Sequence, residues 1–391
     1  EILNGGQISS ATYSTGDGNN VFVKAGNLRI NRGLTDKFTG IWSDTTNAGN
    51  AGIVEVSVNG LLEILNGGQI SSDTYGEGDA GEVIVNADDI IMKKEGYIES
   101  AASEDAKGYV GNIKINADSI KMMDESMISI MALQSLEGEQ LTKIPERSIS
   151  INSRDILLNN SIIISSSIEN VPASLIGITA EKLIISNDSR ILSTANMADG
   201  GDLTIKGKNI FLNNGLIMTS VFEENGNGGD ITIEGIDDNT KVDYLIMKSG
   251  FIKANTVGVD ASGGEINIDV KGVITDKSQE LKIGGNDIIL FEPGINMNVI
   301  QSAAPDGYPG DINISGVELD IGGSIINVPS QFSSQVELAT DPCRTVGTAH
   351  ASSLIQKARG GFTAMPSSPS SIYFIDKRFD ELLMYEKNSE E

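Results

Sequence analysis

The stretch Glu1–Tyr13, EILNGGQISSATY, returns at Glu63–Tyr75 as EILNGGQISSDTY, with Ala11 against Asp73 as the one change. A copy of that length within one chain marks an internal repeat, and a repeat decides the fold before local propensity does. Its heart is Gly68-Gln69-Ile70-Ser71-Ser72: an aliphatic residue that faces a core, then a small residue two places on. Weaker versions follow at Ile8/Ser10, Ile41/Ser43, Ile98/Ser100, Ile128/Ile130, Ile163/Ser165, Ile191/Ser193, Ile217/Thr219 and Ile252/Ala254. From Ile8 to Ile252, with Ile70 included, the steps are 33, 29, 28, 30, 35, 28, 26 and 35 residues. The near-identical pair, 62 residues apart, therefore spans two steps.

The unit is plainest at Gly200–Asn227. Leu203 and Ile205 alternate with Thr204, then Ile210 and Leu212 alternate likewise, the two-residue period of a strand with one buried face. Asn213-Asn214-Gly215 marks a turn, because Asn and Gly accept positive φ. A third short strand carries Ile217 and Thr219. The same scheme fits Val83/Val85, Ile113/Ile115, Ile149/Ile151 and Ile176/Ile178, with outward positions such as Thr204 and Glu99 facing water. Gly/Asp/Asn runs at 16–18, 48–52, 76–81, 199–202, 225–230, 262–265 and 306–311 mark the seams.

Equivalent residues at one place per step favour a coil over a sandwich, which would need hairpin turns throughout. The sequence predicts an all-β fold: a right-handed parallel β-helix, the hand taken from the rule for parallel crossovers. It has about ten turns of roughly 27–36 residues and three short strands per turn. The coil spans 1–328, with an insertion at 131–148 expected as a surface loop or short helix. Past Lys271 the ladder loosens, and 329–391 forms a Ser/Pro/Thr-rich tail and cap.

The net charge of −26 disfavours nucleic acid and anionic lipid as partners. One cysteine, Cys343, forbids an intrachain disulfide, and no apolar run suits a membrane-spanning helix. The chain opens inside a repeat with neither Met nor a signal peptide, and is expected to be the downstream part of a longer polypeptide.

The units GGDLTI…NIFLNNG.LIMTS and GEGDAGEVIVNADDI…GYIES resemble the repeats of filamentous-haemagglutinin-like proteins, two-partner-secreted adhesins of cyanobacteria and other Gram-negative bacteria. The segment Asp341-Pro342-Cys343 … Ser352-Ser353-Leu354-Ile355 … Arg359-Gly360-Gly361-Phe362 … Pro366 … Pro369 is similar to the carboxy-terminal signature of that family. It departs at Thr363-Ala364-Met365, where prolines and asparagine are usual. The resemblance implies a right-handed β-helix, export through an outer-membrane transporter partner, a secreted or outer-membrane-associated surface location, and a role in adhesion. The receptor, whether host cell, glycan or other surface, is left open.

No catalytic, cofactor-binding or metal residue is assigned. Asp88/Asp89, Asp237/Asp238, Glu223/Glu224 and Glu390/Glu391 are adjacent acids in a chain with 54, and no spacing selects a pair for acid catalysis. Gly226–Ile231 has the look of a calcium-binding nonapeptide turn but lacks its nine-residue tandem period. A histidine-based zinc site, a Ser-His-Asp triad or a Cys-His dyad would each depend on His350, the single histidine. Trp42 is expected to point outward between Ile41 and Ser43. The resulting expectation is a non-enzymatic surface rod that binds through a lateral face, 131–148 being the candidate contact loop. The alternative is a carbohydrate-active β-helix enzyme.

Overall fold

A computed structural model describes residues 1–320, apart from 224, 225 and 277. The expected tail and cap at 329–391, with Cys343, His350 and Glu390/Glu391, lie outside the described residues.

Among the described residues the chain is all-β, and the strands pair in parallel, the inner ones with the segment one repeat before and the segment one repeat after. Ile113–Ala132 shows the unit whole. Its first run, Ile113–Ala117, lies between Val83–Ala87 and Ile149–Ser153; its second, Ser119–Met123, lies between Asp89–Lys93 and Asp155–Asn159. Its third, from Met127, lies between Tyr97–Ala102 and Ile162–Ser167. The three runs per repeat read from the sequence are present, although several join into one long strand. The bend before the third run uses left-handed backbone: Asn4, Lys94, Asp124, Asn160, Asn187 and Asn214 all have φ between 50° and 58°.

The isoleucine ladder is in register. Ile8 pairs with Ile41, then the series runs Ile70, Ile98, Ile128, Ile163, Ile191, Ile217 and Ile252. The sequence copy does sit two steps apart, since Ile30 lies between Ile2 and Ile64 as Ile41 lies between Ile8 and Ile70. From Ile41 to Ile252 these side chains lie in one continuous aliphatic core. Ile8 is the exception, 41% exposed, with Ile41 as its one strand partner among the described residues. Beyond Ile252 the ladder does not stop. Ile300 takes the next rung after a 48-residue step, the longest in the series.

That long step carries an excursion whose Phe291 meets Phe251 edge-on, ring centroids 5.2 Å apart, on the outward side of the third run. The guanidinium of Arg190 lies 5.6 Å from the same ring. Gly294 N–H donates to Asn214 Oδ1, 2.5 Å, tying the excursion back across the coil. Outward residues of the third run, Met127, Ile164, Leu192, Leu216, Met218 and Phe251 among them, form a second apolar cluster separate from the core.

The 131–148 insertion, expected as a surface loop or short helix, also contributes to the core. Met131 and Ala132 finish one strand, Ser148 begins the next, and a single helical turn occupies Glu139–Thr142. Leu136 is fully buried in the core cluster. Its backbone is held on both sides by Asn170, which accepts from Leu136 N–H at 2.9 Å and donates to Leu136 O at 2.8 Å.

Candidate functional site

The serine of each rung points inward with its isoleucine, and its hydroxyl serves the seam. Gly52 N–H donates to Ser43 Oγ at 2.9 Å, Gly81 N–H to Ser72 Oγ at 2.8 Å, and Gly111 N–H to Ser100 Oγ at 2.8 Å. Ser174 N–H donates to Ser165 Oγ at 2.6 Å and Gly310 N–H to Ser302 Oγ at 3.0 Å. A buried backbone donor left unpaired is costly, so a small hydroxyl at this rung has a physical reason. The seam glycines have another: a Cβ on Gly108 would sit 1.9 Å from Gly78 O, and one on Gly78 would sit 2.1 Å from Gly49 O.

The seam acids are not merely solvated. Asp17 Oδ1 accepts from Asn50 N–H at 2.8 Å, Asn50 Oδ1 from Asp79 N–H at 2.8 Å, and Asp79 Oδ1 from Tyr109 N–H at 2.9 Å. At the Gly226–Ile231 seam, Asp199 Oδ1 accepts from Asn227 N–H, whose own Oδ1 accepts from Ser262 N–H at 2.9 Å. Asp202, Asp230 and Glu265 N–H continue a parallel chain at 2.9 and 2.7 Å. One oxygen of each of these seam aspartates is taken by the next coil's backbone. Among the described residues no cluster of His, Cys, Asp and Glu is arranged to hold a metal ion.

Of the adjacent acids singled out in sequence, Asp88, Asp89, Asp237 and Asp238 are exposed and Glu223 is half-buried. The structure assembles a different set. Asp44 and Asp73 stack one rung apart on the third run, in the column that begins with Ala11, and Glu99 stacks on Ser71 beside them. Asp73 is buried, and Glu99, expected at an outward position facing water, is fully buried. Asp44 Oδ1 accepts from Asp73 N–H at 3.2 Å, and Asp73 Oδ1 accepts from Ala101 N–H at 2.8 Å.

Burial pushes the Asp44 carboxyl up to about 7, the charge of Glu99 adding to it and the bond from Asp73 N–H opposing it. Asp73 is raised well above the ordinary carboxylate value, first by burial, then by Asp44 and Glu99. Burial and the same three acids raise the nearby Tyr75 phenol. Sequence pairs are found by adjacency, whereas these three lie 29 and 26 residues apart along the chain and meet only through the coil's register. The one sequence signal was the Ala11-to-Asp73 change between the two copies.

Trp42 is half-buried between the fully buried Ile41 and Ser43, on the outward side as expected, and its ring meets Phe38 edge-on at 5.9 Å. Among the described residues, no helix is long and apolar enough to cross a membrane. No protein-family model, curated protein or solved structure matches the chain.

Proposed function

We propose that the chain is a non-enzymatic binding rod of the adhesin type, a right-handed parallel β-helix displayed on or released from a bacterial surface. The observation that supports this reading best is the unbroken register from Ile8 to Ile300. A coil of about ten turns at ~4.8 Å per turn is a stiff rod on the order of 45–50 Å long. Its repeats differ chiefly in their lateral loops, which is where such a fold carries recognition. The resemblance of its repeats and carboxy-terminal segment to filamentous-haemagglutinin-like proteins adds export through an outer-membrane transporter partner to this proposal. The receptor is a surface glycan or protein that tolerates an acidic rod; nucleic acid and membrane insertion are not part of the reading.

The stacked Asp44, Asp73 and Glu99 favour a second reading, a carbohydrate-active enzyme, since carboxyls with separated proton affinities perform acid–base cleavage. Against it, Asp73 spends an oxygen on Ala101 N–H, and Asp73 and Glu99 are both buried, with Asp44 alone half-exposed. The experiment is paired: attachment of the purified chain to cells and immobilised glycans, beside polysaccharide depolymerisation across pH with and without calcium. Attachment without depolymerisation is expected. Turnover of any polysaccharide would replace the first reading by the second.

A further inference from the structure

The insertion between Ala132 and Ser148 leaves a cavity of about 300 Å³ between itself and the seams of the adjoining turns. Tyr109 shapes one side, its hydroxyl donating to Gln140 O at 2.7 Å and so fixing the helical turn of the insertion. Val110, Ala132 and Val171 give buried apolar wall. Among its polar lining residues, two carry buried atoms without a hydrogen-bond partner. Gln134 is 1% exposed; its Nε2 donates to Gly108 O at 3.2 Å, while its Oε1 has no hydrogen-bond partner. The buried Nε of Arg147 is likewise without an acceptor, although its terminal nitrogen lies 3.7 Å from Asp79 Oδ2.

Native proteins pair nearly all buried polar atoms, so an orphan acceptor and an orphan donor lining one cavity point to an occupant that supplies both. We propose that this cavity binds a single neutral sugar ring, with one ligand hydroxyl donating to Gln134 Oε1 and another accepting from Arg147 Nε. A hydroxyl both donates and accepts, and a sugar ring carries several on a rigid frame. The apolar wall suits its C–H face, and the volume matches the lower end of the ~300–1,000 Å³ of small-molecule sites. Acidic sugars are disfavoured by Glu146 and Asp202 in the lining and by the net charge of −26. The proposal rests on the reading of the coil as a binding rod and narrows it to one ligand class.

The test titrates the full chain with glucose, galactose, mannose and N-acetylglucosamine, and with glucuronate for contrast, by ligand-observed NMR and calorimetry. At least one neutral sugar should bind, more tightly than glucuronate. Gln134→Leu should weaken that binding by about tenfold or more while keeping the parent's circular dichroism and melting temperature. If Gln134→Leu does not fold, Pro145→Trp, which adds bulk to the half-buried lining, is held to the same criterion. No neutral sugar bound at tens of millimolar, or equal affinity in a folded variant, overturns the proposal. Cell attachment that ignores both Gln134→Leu and saturating free sugar sinks the cavity as receptor site and leaves the rod reading standing. Sugar binding without attachment to any surface does the reverse.

Discussion

At position 73 the repeat departs from its own copy, placing a carboxylate where Ala11 stands two turns earlier. Asp44 and Asp73 both have folded values raised above the ~3.9 of an unfolded carboxylate. The folded chain therefore holds protons that the unfolded chain releases. Their contribution to stability is full below about pH 4; that of Asp44 is lost as pH rises through about 7, and that of Asp73 as pH rises through its own raised value. Asn255 shows how the same column works without charge, its Oδ1 accepting from Ala303 N–H at 2.8 Å. Asp73→Asn should keep the bond from Ala101 N–H and remove the ionisation. We expect it to raise stability at pH 8 by about 1 kcal/mol or more and to flatten the melting temperature between pH 5 and 8. An unchanged slope in a folded variant would mean the carboxyls titrate normally. Ser100→Ala tests the rung hydroxyl: it orphans Gly111 N–H and should cost about 1–3 kcal/mol in denaturant unfolding. A loss below a few tenths would assign that donor another partner.

The insertion shows at the scale of an element what a sequence conveys and what it withholds. Its excess length and its Glu, Gln and Lys are plain, and they leave loop and short helix open; the one helical turn lies at Glu139–Thr142. That Leu136 turns inward is not plain, because a single aliphatic residue in a polar run has no period to betray it. The rungs from Ile41 to Ile252 were legible for the opposite reason, each being reinforced by its neighbours at nearly constant spacing. Ile300 was lost when that spacing jumped to 48 residues. The carboxyl set of Asp44, Asp73 and Glu99 depends on which residues stack, which composition and adjacency do not record. The insertion therefore divides into two parts with different expected responses. Removing 138–143 with a short glycine bridge should leave the melting temperature close to the parent, since closing a surface loop costs little. Leu136→Ala, which opens the core, should cost about 2–5 kcal/mol by chemical denaturation. Equal tolerance of both changes would place Leu136 outside the core.

Among the described residues the strand pairing joins each turn to the turns next to it, the excursion that reaches Asn214 and Arg190 being an exception, so stability is close to a sum of many similar interfaces. Protection should therefore vary with position along the rod. In this chain the rung of Ile8 pairs on one side only, with Ile41, and there Ile8 is 41% exposed, whereas Ile98, Ile128, Ile163, Ile191 and Ile217 are fully enclosed. Local opening draws on the free energy of the interfaces it breaks, and an end turn breaks one where an inner turn breaks two. Hydrogen exchange read by mass spectrometry should show Gln7–Thr12 exchanging much faster than the equivalent third runs within Ile113–Ala132 and Leu175–Ala195. Substitution should follow the same gradient. Ile191→Asp buries an unpaired charge between two rungs and should cost several kcal/mol, on the order of the whole marginal stability of an ordinary domain. Ile8→Asp, already in contact with water, should cost under about 1 kcal/mol. Uniform exchange from end to end, with both substitutions equally damaging, would show that the coil opens as one cooperative body rather than turn by turn.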